Sequence, residues 1–249
     1  MQKTPEKTLC IGDYVTFSNA KHAGMLSAEG ILLPNLILNT NLVTLDDALF
    51  CIHLQRQYSA SREFDDYMNS IKVDGEGNNK DAEASASKFL HALKKGRNNE
   101  TKLNNDYMKK RIGEPVKFGD VIQLFHCKSG KYVTVQAHTL ANDERENMCV
   151  QLDGQGSIYS WLVVTPRFKI DREGDVVQNA SEMFLKVSER LNEYIHCSER
   201  TPMRGHDREV NCSLETTGWR MNIFQTAMDT NDASLLLSSQ LVYVLIKID

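Results

Sequence analysis

Val121–His126 and residues 132–135 are predominantly apolar runs rich in β-branched and aromatic side chains, which suit a half-buried pleated surface and predict strands. Lys128-Ser129-Gly130 between them predicts a tight turn, with Gly130 able to take the positive φ it needs. The outline recurs along the chain. Gly12-Asp13 opens a strand over residues 14–17 that returns at 24–27, just as Gly119-Asp120 opens the strand at Val121. A weaker copy opens at Asn179-Ala180, runs through residues 183–187 and returns at 194–198. Each copy closes on an aromatic strand, at Phe50, Trp161 and Trp219, which lie 37, 41 and 39 residues after Asp13, Asp120 and Ala180.

Self-similarity at this period signals a repeat architecture. Three copies of about four short strands suit a closed all-β unit, because closure removes exposed sheet edges. A threefold β-trefoil barrel is the expected fold.

Between the first two copies the period changes. Residues 62–71 and 81–95 place Phe64, Tyr67, Met68 and Ile71, then Phe89, Leu90 and Leu93, at spacings of three and four, which predicts helices. Asp81 is the expected N-cap and Gly96 the expected C-cap after Lys94-Lys95. Residues 105–111 suggest a further helix, and 74–79 a flexible link. The barrel is therefore expected to carry an α-helical arm inserted over residues 59–113. In the first copy, Ile31-Leu32-Leu33 runs into a Pro34-Asn35 turn. These aliphatics either all point inward or form a docking patch for another protein surface. After Trp219, residues 241–246 (LVYVLI) look like one more opening strand. The expected division is a domain over 1–228, then a linker and the first strand of a following domain over 229–249, the chain being a fragment of a longer protein.

Composition narrows the function classes. A net charge of -4 with pI about 6.0 offers no general attraction to nucleic acid or anionic membrane. The first ten residues lack the apolar core of a signal peptide. The six cysteines are scattered and read as reduced core thiols. The seven histidines show no ligand-spaced pairing, and no phosphate-cradling glycine motif occurs, so no metal, cofactor or catalytic residue is expected. His126-Cys127 and His196-Cys197 are neighbours on strands and point to opposite faces, which argues against Cys–His chemistry. Basic clusters at Lys128/Lys131, Arg167/Lys169/Arg172 and Arg200/Arg204/Arg208 are interleaved with acids and read as solvated faces. The Gln-x-Trp signature of lectin trefoils is absent from the closing strands.

FGDVIQLFHCKSGKYVTV, YSWLVVTP, EVNCSLETTGWRMNIF, the opening LCIGDYVTF…GMLSAEGILL and RQYSASREF together resemble the N-terminal region of inositol trisphosphate receptors, the intracellular calcium-release channels. The resemblance runs in order over essentially the whole chain; ryanodine receptors fit less well. It implies a MIR-like β-trefoil suppressor domain with a helical arm, not an enzyme. Such a domain tunes the affinity of the adjoining ligand-binding core and couples occupancy to gating, without binding the inositol phosphate itself. The phosphate-holding residues are expected beyond Asp249. The implied partners are that core and neighbouring subunits of a tetramer. The implied location is the cytosolic face of the endoplasmic reticulum, with membrane contact only through the full-length channel. Ile31 and Leu32 match the aliphatic pair of the family's gating hairpin. Leu33-Pro34 replaces the two acidic residues that follow that pair in the family, so the interface would rest on Ile31, Leu32 and Leu33. Phe168 stands where the family carries an exposed aromatic. The competing reading is a stand-alone MIR-type trefoil that binds a sugar or anionic ligand.

Overall fold

The structure is a computed structural model that describes residues 7–30, 33–41, 44–73, 80–200 and 207–228. Its described strands are β1 (Tyr14–Asn19), β2 (Gly24–Ala28), β3 (Leu36–Asn39), β4 (Phe50–Leu54), β5 (Val121–His126), β6 (Lys131–Leu140), β7 (Met148–Asp153), β8 (Leu162–Pro166), β9 (Glu182–Val187), β10 (Tyr194–Cys197), β11 (Arg208–Ser213) and β12 (Trp219–Gln225). The fold is all-β apart from two helices, α1 (Ser59–Val73) and α2 (Lys80–Arg111). Two compact units are present, one built from the strands and the other spanning Arg56–Arg111.

The strand unit closes on itself. β1 pairs with β4, β4 with β5, β5 with β8, β8 with β9, β9 with β12 and β12 again with β1, all antiparallel. The remaining strands form the hairpins β2–β3, β6–β7 and β10–β11, joined to one another by β11–β3, β11–β7 and the bridge Asn35↔Gln151. The pairing register is threefold. Val15, Ile122 and Met183 face Phe50, Leu162 and Trp219, and two residues further along Phe17, Leu124 and Leu185 fill the axis, all nearly inaccessible. Leu26–Leu38, Val133–Leu152 and Ile195–Cys212 repeat the pattern in the hairpins. Each large apolar side chain removed from water in this way is worth ~1.5–3 kcal/mol, so the inward positions dominate the stability.

The opposite end is closed by the three opening segments. Leu9 N–H donates to Val177 O, Val177 N–H to Val116 O and Val116 N–H to Leu9 O, each at 2.9 Å. A side-chain oxygen then fixes each turn into the barrel: Asp13 accepts from Cys10 N–H, Asp120 from Lys117 N–H and Ser181 from Gln178 N–H. The residue before each acceptor has positive φ. Glycine supplies it at Gly12 (90°) and Gly119 (96°), but an alanine is held there at Ala180 (64°).

Two expectations need correction. The second repeat places Leu162, not Trp161, at the inward closing position; Trp161 is only half-buried. An aromatic next to the pairing position carries the same sequence signal as one on it, and side chains on a strand change face at every residue. Gly96 also does not end a helix, since α2 runs unbroken from Lys80 to Arg111 and absorbs the separate helix expected at 105–111. The arm explains why. α1 and α2 lie antiparallel, joined by Tyr67 against Phe89 (4.9 Å), Arg97 over Phe64 (4.1 Å), Glu100 on the amides of Ala60 and Ser61 (2.8 and 3.0 Å), and Asn104 on Gln57. Residues 89, 97, 100 and 104 share one face, and their contacts outweigh the ~1 kcal/mol helix penalty of a glycine.

Candidate protein-interaction site

The loop between β2 and β3 holds the predicted aliphatic run. Ile31 and Leu32 lie outside the described residues. Leu33 is described and half-exposed (50%), which settles its orientation: it does not point into the core. The frame beneath it is rigid. Glu29 N–H donates to Asn35 O at 3.0 Å, and Asn35 Nδ2 donates back to Glu29 Oε2 at 2.8 Å. Gln151 Nε2 of β7 donates to Asn35 Oδ1 at 2.9 Å, and Leu152 N–H donates to Pro34 O at 2.6 Å. Asn35 therefore uses its side-chain donor and its acceptor to hold the loop base to its own hairpin and to the neighbouring one. The sequence places an Asn at the turn, and the structure shows that it is also a cross-hairpin clamp.

Phe168 follows β8 and is likewise half-exposed, with the Arg167 guanidinium 5.5 Å from its ring centroid. Its carbonyl accepts from Asp171 N–H at 3.2 Å. Beyond it the chain is tied down again, as Asp175 accepts from Arg172 N–H at 2.9 Å and Gly174 N–H donates to Phe118 O at 2.8 Å. Ile170, 85% exposed, stands within the same short turn and extends its apolar surface. Sequence reasoning missed Ile170, although Phe-x-Ile between two charged residues was a readable signal. Leu33 and Phe168 are not brought together. β8 runs from Leu162, beside the hairpin end of β9, to Pro166, beside its start at Met183, so Phe168 leaves the barrel at the end opposite the hairpins.

The chemistry sought from sequence does not assemble among the described residues. No group of three or more His, Cys, Asp or Glu could hold a metal ion there. All six cysteines are free thiols. Burial pushes Cys127 and Cys197 up to about 12 and Cys149 to about 11, which keeps them protonated and unreactive at neutral pH. His126 donates from Nε2 to Asp47 O (3.1 Å) and takes Ser129 Oγ at Nδ1 (2.8 Å), so it pins a turn. No helix among the described residues is long and apolar enough to cross a membrane.

Comparison with known proteins adds a family. Residues 4–230 match the model of the inositol 1,4,5-trisphosphate/ryanodine receptor family. Over 162 residues the chain is 30% identical to the inositol 1,4,5-trisphosphate receptor itr-1 of Caenorhabditis elegans. That alignment covers 62% of the chain and 6% of the far longer relative. Among solved structures, a C. elegans protein of unknown function from structural genomics superposes with a TM-score of 0.56 at 13% identity, covering 89% of this chain and 99% of that one. At that identity the likeness speaks for the fold alone.

Proposed function

The chain belongs to the inositol 1,4,5-trisphosphate/ryanodine receptor family, and from that premise we propose that it is the N-terminal regulatory module of an inositol trisphosphate-gated calcium-release channel. The closed ring of six strands with three hairpins over one end is read as its β-trefoil head, and Arg56–Arg111 as its arm. The module adjusts the ligand affinity of the following binding core and passes occupancy on to the gate. It acts through contact, at the endoplasmic reticulum on the cytosolic side, between the core and a neighbouring subunit of a tetramer. The observation that carries this reading is that the family match runs from residue 4 to residue 230 and so includes both barrel and arm.

The contacts proposed are the β2–β3 loop, through Ile31, Leu32 and Leu33, and Phe168. Leu33 and Phe168 both present half of an apolar side chain to solvent above hydrogen-bonded loop bases. Completing the burial of such side chains supplies ~1.5–3 kcal/mol each before ordering costs. A bias of that size moves a two-state gate appreciably. Two experiments test the reading. Inositol trisphosphate titrated into this chain alone gives no binding heat, whereas micromolar or tighter binding places the ligand site here and overturns it. In the full-length receptor, Leu32→Lys and Leu33→Lys leave the fold intact and weaken ligand-evoked calcium release; unchanged release removes the loop from gating.

A further inference from the structure

Because α2 continues through Gly96 for 32 residues, it lines up side chains that lie far apart in the sequence. Lys88, Lys95, Lys102 and Lys109 recur every seven residues, with His91, Asn98 and Asn105 between them, and all seven are exposed. Seven residues make nearly two helical turns, so each step returns to almost the same face and advances ~10.5 Å. The four lysines therefore form one stripe ~31 Å long. Asp81, one step earlier, has the opposite sign and ends the run.

The stripe is not neutralised within the arm. None of its four lysines has an ion pair or hydrogen bond among the described residues. Over residues 88–111, eight lysines and arginines stand with two acids. Of these, Glu100 is held on the Ala60 and Ser61 amides of α1. Asp106 is half-buried, four residues after Lys102 and three before Lys109, and offsets one charge of the stripe at most. The acids of α1, Glu63, Asp65 and Asp66, flank or oppose Phe64, the residue that meets Arg97 of α2, and form no ion pair with the stripe. Neighbouring lysines are spaced beyond the ~8 Å over which exposed charges act at physiological salt. The row thus repels itself little, while an anionic partner meets all of it.

Apolar surface runs alongside. Phe89 and Leu103 are 52% and 69% exposed and, with Gly96 midway, repeat the seven-residue step one position round the helix. Phe89 meets Tyr67 on one side only. A Cβ on Gly96 would touch only Ala60, at 3.8 Å, so the surface between Phe89 and Leu103 is open and shallow. An apolar line with charges at its flank is the pattern of a seam between two helices.

We propose that this face of α2 receives an amphipathic helix of a partner protein, one that carries carboxylates every seventh residue beside an apolar line. A helix shares the period of both rows, whereas an extended acidic chain laid along the lysines leaves Phe89 and Leu103 uncovered. A lipid surface has no such period, and the net charge of -4 sets the chain as a whole against an anionic one. Exposed ion pairs are individually weak, so binding needs the whole row together with the apolar line. This gives the arm a contact of its own and goes beyond the regulatory reading, whose contacts lie on the barrel.

The test uses the whole chain and a synthetic four-heptad peptide with Leu at the a and d positions and Glu at e and g, followed by fluorescence anisotropy. Saturable binding is expected, and a peptide of the same composition shuffled off the heptad binds at least fivefold more weakly. Lys88→Glu with Lys95→Glu weakens binding at least tenfold, and that variant takes the counterpart peptide with Lys at e and g better than the unaltered chain does. Lys88→Gln with Lys95→Gln, a milder change that keeps the helix, weakens binding of the acidic peptide at least threefold. Lys117→Glu with Lys131→Glu makes the same change of charge on the barrel and leaves binding within twofold. Equal binding of the shuffled peptide overturns the proposal, as do equal losses from the arm and barrel substitutions. So does failure of the peptide to bind while the chain sediments with phosphatidylserine–phosphatidylcholine vesicles through Lys88 and Lys95; the stripe then serves a lipid surface. Inositol trisphosphate enters none of these measurements, so the helix-binding face and the regulatory reading can fail separately.

Discussion

The barrel and the arm are stabilised in opposite ways. In the barrel, inward side chains from all three repeats are withdrawn from water, and its turns are fixed by buried or half-buried hydrogen bonds. In the arm, only Tyr58 and Phe64 are buried apolar side chains among the described residues, and the helices are latched by polar groups: Glu100 on α1, Asn104 on Gln57 and Arg97 over Phe64. Non-local strand pairing with a deep core resists opening as a unit, whereas a two-helix arm with few buried contacts opens locally at lower free energy.

The contrast can be broken most severely at Trp219, which is fully buried and donates its indole N–H to Ile195 O at 2.9 Å. Trp219→Ala is expected to lose ~3–5 kcal/mol and to lower the melting temperature of the whole barrel. Leu162→Ala should lose ~2–5 kcal/mol and clearly exceed Trp161→Ala, the reverse of what side-chain size alone suggests. Equal losses would contradict the corrected register.

Glu100→Ala should remove ~0.5–2 kcal/mol, and only from the arm. Hydrogen exchange should quicken at the start of α1 while the core strands stay protected; faster exchange in β5 or β12 would refute a separable arm. Acid should act on the barrel. Burial holds His126 and His196 below the ordinary histidine range, although Asp47 opposes this at His126 and Glu144, Glu215 and Glu199 oppose it at His196. The unfolded chain therefore takes up protons first as pH falls through ~6.5. Their contribution is complete above that pH and is lost below it. Glu144 is pushed up by burial, but Asn211 and Ser198 bond it and His196 attracts it, and together they hold it below its usual range. That adds a further loss under pH ~4.5. The melting temperature should be flat near pH 7–8 and fall on acidification; a rise between pH 7 and 5.5 contradicts this.

The smallest effect concerns the irregular third repeat. Ala180 occupies a left-handed conformation that its two equivalents fill with glycine. Ala180→Gly is expected to stabilise by about 1 kcal/mol, read as a rise of a few degrees in melting temperature.

Much of this was legible beforehand. The opening dipeptides Gly12-Asp13 and Gly119-Asp120 marked two repeats because both residues have a local backbone task, the glycine for φ and the aspartate for the turn. The third repeat was faint because Ala180 and Ser181 perform the same tasks with different side chains. The opening and return strands followed from their β-branched and aromatic runs, and the helical character of the insertion from spacings of three and four. Which neighbour faced inward, Trp161 or Leu162, was not legible, since it depends on pairing register with β5. Gly96 reads locally as a stop signal, and only tertiary contact with α1 overrides it. At the candidate interface, the apolar run before Pro34 was visible, but the clamp formed by Asn35, Glu29 and Gln151 joins two hairpins far apart in sequence.

The regulatory role is tested most directly by measuring inositol trisphosphate affinity for the receptor's N-terminal region extended through the binding core, with and without residues 1–228. Tighter ligand binding is expected once those residues are removed. Equal or weaker binding after their removal would contradict it.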